Sequence, residues 1–135
     1  MINYPHILFI DSVHPCMKEV FEKNGFGCDD GTKMEEKEIH SIINKYTGII
    51  VRSRIPINKD FIDKATNLKF IGRVGAGMES IDIAYAQKKN ISCFNSPEGN
   101  RDAVGEHALG MLLSMMNRIV IADSQVRNGE WIREE

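Results

Sequence analysis

Apolar residues along this chain collect into four short runs, at positions 7–10, 48–51, 68–74 and 91–94, with helix-length segments between them. The runs carry apolar side chains on both faces, as strands covered on both sides of a parallel sheet do. A weaker strand is expected at 27–30. Segments 17–24, 35–45 and 83–89 fit helices: the first stops at Gly25, the second near Gly48, and the third leads into the fourth run. Alternating elements of this length predict an α/β fold built on a doubly wound parallel sheet. No internal repeat or low-complexity segment interrupts the pattern.

The last third reads differently. Asn100 is the expected N-cap of a helix, Asp102 sits in its first turn, and the helical pattern runs through 101–127 until Asn128-Gly129, weakened locally by Gly105 and Gly110. One helix of that length spans about 40 Å at about 1.5 Å per residue. A domain of about 100 residues has a radius of gyration of only about 13 Å. Ala108, Leu109, Met111, Leu112, Leu113, Met115, Met116, Ile119, Val120 and Ile121 also occupy too much of its circumference for one buried stripe. The helix is therefore expected to pack against something the chain lacks or another copy supplies, and the chain reads as incomplete.

Composition narrows the classes. The 135 residues suit one domain, or one domain plus an appendage. Lys and Arg number 17 against 19 Asp and Glu, for a formal charge of −2, which gives no reason to expect nucleic-acid binding. The start has no basic region leading into a long apolar core, so no signal peptide is expected. The stretch 108–122 is broken by Ser114, Asn117 and Arg118 and is too short to span a bilayer, so no membrane partner is expected. Cys16, Cys28 and Cys93 form no C-x-x-C pair and read as reduced thiols of a cytoplasmic protein. His6, His14, His40 and His107 lack metal-ligand spacing, so no metal site is expected. Adjacent Glu106 and His107 point in different directions on a helix and form no acid–base dyad.

In an open parallel sheet, ligands bind beyond the carboxyl ends of the strands. Asp11-Ser12, Arg52-Ser53-Arg54, Gly75-Ala76-Gly77 and Asn95-Ser96-Pro97 fall there. They supply guanidinium groups, hydroxyls, an amide and bare backbone N–H groups, a set suited to a carboxylate or phosphate. Asp11-Ser12 reads as turn chemistry, whereas Arg52 beside the glycine turn reads as functional. Val74-Gly75-Ala76-Gly77 resembles half of a dinucleotide fingerprint, but Ser80 stands at the third glycine position. Asn95 stands about 20 residues on, where an acidic residue should meet the ribose. A phosphoacceptor receiver is excluded as well, because the strand at 48–51 leads into Arg52-Ser53 and not Asp, and the last strand into Asn95 and not Lys.

Taken in order, VRSR, LKFIGRVGAGMESID, NSPEGNRDAVGEHALGMLL and RNGEW resemble the amino-terminal part of the D-isomer-specific 2-hydroxyacid dehydrogenases, from about residue 48 onward. Residues 1–47 match that family only in their βαβ pattern. The resemblance implies a flavodoxin-like substrate domain over 1–99, incomplete, then a crossover helix and linker over 100–135 towards a Rossmann NAD-binding domain outside the chain. It implies hydride transfer from the 2-hydroxyl of a small anionic hydroxyacid to NAD, with 3-phosphoglycerate the expected substrate and serine biosynthesis the expected setting. The catalytic arginine, glutamate and histidine are expected downstream, none in this chain. Val74, Gly75, Ala76 and Gly77 match the segment whose amides hold the substrate carboxylate. Arg52 and Ser53 match the pair that approaches the substrate in phosphoglycerate-type members, and Arg54 also suits a phosphate. Asn100 matches the asparagine at the cleft mouth, and Val104 the position near the nicotinamide. Gly105 departs from the family's usual alanine, and Glu79 stands where many members have Asp. Family habit implies a homodimer through the 101–127 region. The competing reading is a non-catalytic anion-binding α/β module.

Overall fold

The computed structural model describes residues 4–132. The chain divides into two compact units, Met1–Pro97 and Glu98–Glu135. The first holds β1 (His6–Phe9), α1 (Pro15–Lys23), β2 (Gly27–Asp30), α2 (Glu36–Ile42), β3 (Gly48–Val51), α3 (Lys59–Lys64), β4 (Phe70–Arg73), α4 (Ile83–Lys88) and β5 (Ser92–Phe94). All neighbouring strands pair in parallel, in the order β2-β1-β3-β4-β5. This is the doubly wound, flavodoxin-like order expected of the sequence.

Strand alternation sorts the apolar runs onto two faces. Leu8, Ile10, Ile49, Val51 and Ile71 point to one face, where Ile39 of α2, Phe61 and Ile62 of α3 and Ala86 of α4 close over them. Ile7, Phe9 and Ile50 point to the other, which receives Met17 and Phe21 of α1. There the Phe21 ring stacks on Phe70 at 6.1 Å and meets Phe26 edge-on at 5.6 Å. Cover on this second face thins towards β5, where Phe94 is 60% exposed.

Capping chemistry sets the short helices. Asn58 accepts from the Phe61 amide at 3.0 Å and starts α3; Asp82 accepts from the Tyr85 amide at 2.9 Å and starts α4. Such caps contribute about 1 kcal/mol each. The sequence pattern gave no helix at α3, whose six residues are under two turns. The helix expected over 35–45 is α2, a reciprocal Glu35/Glu38 capping box at its start, followed by a separate 3-10 turn at Ile43–Lys45.

The second unit corrects two expectations. Its helix α5 (Glu98–Met116) begins at Glu98, so Asn100 is not an N-cap but its third residue. The single helix expected over 101–127 breaks, with α6 running over Ile119–Arg127. At the break Asn117 folds its side-chain amide back onto the Leu113 carbonyl at 2.9 Å, and Arg118 turns left-handed at φ 52°. A left-handed residue diverts the chain from the helical path at about 1–2 kcal/mol for a side chain with a Cβ. Of the residues in α5 and α6, none is buried, and Met115 and Val120 are each 73% exposed. An open cleft of about 1000 Å³ lies along the two helices, lined by Ala103, His107, Gly110, Met111, Ser114 and Ile121 among others. No helix among the described residues is long and apolar enough to cross a membrane.

Candidate functional site: a glycine turn with free amides at the β4 end

In a sheet of this order the expected crevice lies between the ends of β1 and β3, where the winding reverses. Here side chains fill it. Asp11, just past β1, accepts from the Arg52 amide at 2.5 Å and lies 3.7 Å from Arg54 Nε. Arg54 donates to the carbonyls of Met34 and Gly31 at 2.8 Å each, and to that of Ile10. One guanidinium thus ties the loop after β3 to the segments that follow β1 and β2. Three of the Arg54 N–H donors are thereby committed to the fold. The Arg52 guanidinium, two residues earlier, makes no hydrogen bond or ion pair among the described residues and is exposed.

The open chemistry lies one strand over, after β4. Val74 still donates to the Val51 carbonyl at 2.8 Å, then the chain turns through Gly75 at φ 144°. Two of the turn's acceptors are occupied: the Gly75 carbonyl takes the Ser96 amide at 3.0 Å, and the Ala76 carbonyl takes Asn95 Nδ2 at 2.6 Å. Its donors are free, since nothing among the described residues accepts from the amides of Gly75, Ala76 or Gly77. Three free N–H groups in succession, with the first two carbonyls turned to other partners, give the local positive potential of an anion-binding nest. Asn95, which failed as a ribose ligand, is a strut under this turn.

Two side chains flank the glycines. Arg73, the last residue of β4, lies so close over Gly75 that a Cβ there would stand 1.6 Å from its Nη1. Its Nε is buried and has no hydrogen-bond partner. A buried guanidinium N–H without an acceptor is costly and waits for one. On the other side the Glu79 carboxylate lies against Gly77, where a Cβ would stand 2.2 Å from Oε2. The loops after β3 and β4 are held in register by a parallel bridge between Ile57 and Ile81, with Ile57 donating to Ser80 and accepting from Asp82. Sequence reasoning missed Arg73 because it ends a strand run and looked like a β residue; its place immediately before a glycine turn was the available signal.

The remaining candidates lie elsewhere. Asn100 and Val104 are on α5 in the second unit, Val104 at 56% exposure. His14 accepts from the Cys16 amide at 3.3 Å and caps α1, while His6 pairs with Asp29 at 3.0 Å. His40 packs edge-on against Phe61, and its Nδ1 accepts from Lys64 Nζ at 2.9 Å. Burial pushes the Cys28 and Cys93 thiols up, as suits packing and not nucleophilic chemistry.

Residues 7–131 match the model of the D-isomer specific 2-hydroxyacid dehydrogenase catalytic domain. The chain belongs to this family. D-3-phosphoglycerate dehydrogenase from Archaeoglobus fulgidus is 36% identical over 117 residues, 87% of this chain and 22% of that protein. The Sus scrofa enzyme of the same name is 29% identical over 133 residues, 98% of this chain and 25% of its own length. A crystal structure of a Pyrococcus horikoshii protein superposes with a TM-score of 0.85 at 25% identity, over 96% of this chain and 39% of that one. The NAD+-bound 3-phosphoglycerate dehydrogenase of Entamoeba histolytica gives 0.67 at 28% identity, over 82% of this chain and 39% of that one. The chain thus spans about a quarter of the length of those curated relatives.

Proposed function

We propose that residues 1–99 are the substrate-binding part of an NAD-dependent D-2-hydroxyacid dehydrogenase whose substrate is D-3-phosphoglycerate, and that residues 100–135 lead towards its cofactor domain. One observation carries the reading: the 75–77 turn has three free amides, with the Gly75 and Ala76 carbonyls occupied, beside the half-buried Arg73 whose buried Nε lacks an acceptor. Gly75, Ala76 and Gly77 hold the substrate carboxylate through backbone N–H groups, and Val74, whose own amide is spent on Val51, anchors the turn to β3. Arg52, with Ser53 beside it, meets the phosphate, and Arg73 adds a second cation at the turn. Asn100 is the residue of the second unit assigned to the substrate by the family resemblance.

The residues present do not form a dinucleotide cradle, because Ser80 replaces the third glycine and Asn95 the ribose acid. In this reading NAD is held by residues outside these 135, with Val104 the position approaching the nicotinamide. What this chain supplies is binding and orientation, which convert an encounter into a fixed geometry for hydride transfer. By itself it is an anion-binding module without turnover.

Titration with D-3-phosphoglycerate, followed by amide NMR, tests this. Shifts confined to 52–53 and 73–77 are expected, and Arg52→Ala should weaken binding by about 1.5–3 kcal/mol. No shift up to about 10 mM, a binding free energy weaker than roughly −2.7 kcal/mol, refutes the cradle. Turnover with NAD by the 135-residue chain would place catalysis inside it and refute the division of labour. The exposed apolar residues of α5 and α6 support a homodimer through 101–127; a monomeric mass in sedimentation at high micromolar concentration would count against it.

A further inference from the structure

The acidic side chain of Glu79 rests on Gly77 of the anion turn. Its backbone forms the tip of a tight turn in which Ile81 donates to the Met78 carbonyl at 3.0 Å. The next residue is pinned, since the Ser80 carbonyl accepts from the buried Ile57 at 2.8 Å. The carboxylate has no hydrogen bond or ion pair among the described residues, and it lies back against Gly77 with Oε1 and Oε2 at 2.8 and 2.2 Å from where a Cβ would stand. An unpaired carboxylate with the whole solvent available has no need to lie there for the sake of the fold. The positive potential of the free amides accounts for it.

We infer that Glu79 is a specificity-determining residue, a built-in negative charge at the anion turn that sets how much ligand charge the site accepts. The inference rests on the reading of 75–77 as a carboxylate cradle. Because the backbone at 78–82 is anchored, a bound anion can push the carboxylate aside only by side-chain rotation, and the charge stays within a side chain's length of the ligand. The repulsion therefore scales with ligand charge. Arg52 and Arg73 oppose it, so an anion with one charged group and an anion with two feel different balances. Steric bulk at Glu79 has no such dependence on charge.

The test compares wild type with Glu79→Gln, which keeps the shape and removes the charge, using D-glycerate and D-3-phosphoglycerate as probes in calorimetric titration. Coulomb's law across about 7 Å of water-like dielectric gives a gain of about twofold to threefold for the singly charged probe and about tenfold for the phosphorylated one. Both gains should shrink as salt is raised, and the melting temperature should stay unchanged because the side chain makes no bond. Glu79→Asp, with a shorter reach, should fall between. Equal gains for the two probes, or none where wild type binds, overturn the charge gate and leave the cradle standing. No binding of either probe by either protein overturns the cradle and the gate with it.

Discussion

Replacing Arg54 by alanine should cost stability without removing any of the groups assigned to the anion site. The side chain donates to three backbone carbonyls, those of Ile10, Gly31 and Met34, and lies 3.7 Å from Asp11. A hydrogen bond involving a charged group contributes about 1.5–3 kcal/mol. Three would sum to more, but they share one cation, and the side chain is 32% exposed. Water can therefore reach some of the vacated carbonyls. The expected loss is about 2–4 kcal/mol, within the range of broken part-buried networks. For a unit of this size that is roughly 10–25 °C in melting temperature. Urea unfolding followed by circular dichroism reads it, with the m-value held constant as the check on the two-state assumption. Arg54→Lys should recover less than half, since one ammonium cannot reach three carbonyls as a planar fork does. Arg52→Ala is the control and should change stability by under about 0.5 kcal/mol. A loss below about 1 kcal/mol for Arg54→Ala would show that the clamp is incidental and return Arg54 to the list of phosphate ligands.

Three further outcomes are open to measurement. Burial, with the nearby Asp29 carboxylate adding to it, pushes the Tyr46 phenol from its ordinary 10.0 up to about 12. The folded state favours the neutral phenol, so its contribution is complete below pH 10 and lost as pH rises from about 10 to 12. The loss amounts to about 2–3 kcal/mol, and Tyr46→Phe should flatten that limb of the stability curve; an unchanged limb would refute the assignment. Gly75→Ala places a Cβ at φ 144° against Arg73, and should cost about 1–3 kcal/mol together with most of the affinity for D-3-phosphoglycerate; wild-type affinity would show that the turn does not hold the ligand. A thiol reagent at pH 8 should modify exposed Cys16 first, ahead of Cys28 and Cys93, whose thiols burial raises; equal rates would contradict the described packing.

The sheet was legible because a parallel strand covered on both faces needs apolar side chains at consecutive positions. Runs such as Ile49-Ile50-Val51 have few other places to go. What stayed hidden depended on partners remote in sequence. Arg52 and Arg54 sit two residues apart with the same chemistry, yet one is exposed and the other grips carbonyls at positions 10, 31 and 34. Nothing local distinguishes them. The helix break was obscured for a related reason: Asn117 and Arg118 are tolerable helix residues, and a left-handed turn at a non-glycine residue has no composition signal. In α3 the signal was present, an asparagine cap at Asn58 with Asp60 in the first turn, but six residues are too few to show a helical period. The free amides at 75–77 could be suspected from glycine content alone. That the carbonyls of Gly75 and Ala76 are spent on Ser96 and Asn95 could not.

The clamp and the cradle are connected. A sheet wound in the order 2-1-3-4-5 leaves its natural crevice between β1 and β3, and a free crevice there would draw a ligand to the wrong strands. Asp11 and Arg54 close it, and in doing so Asp11 takes the Arg52 amide and fixes where the loop after β3 departs. Ile57 of that loop then bridges to Ile81, which holds the segment following the glycine turn. The geometry of the anion site therefore depends on a charged network on the far side of β3. It follows that Arg54→Ala should weaken D-3-phosphoglycerate binding as well as stability, even at temperatures where the protein stays folded, because the register of one loop against the other is loosened. If Arg54→Ala, checked to be fully folded, binds D-3-phosphoglycerate with wild-type affinity, the two loops are positioned independently, and the closed crevice is a matter of stability alone.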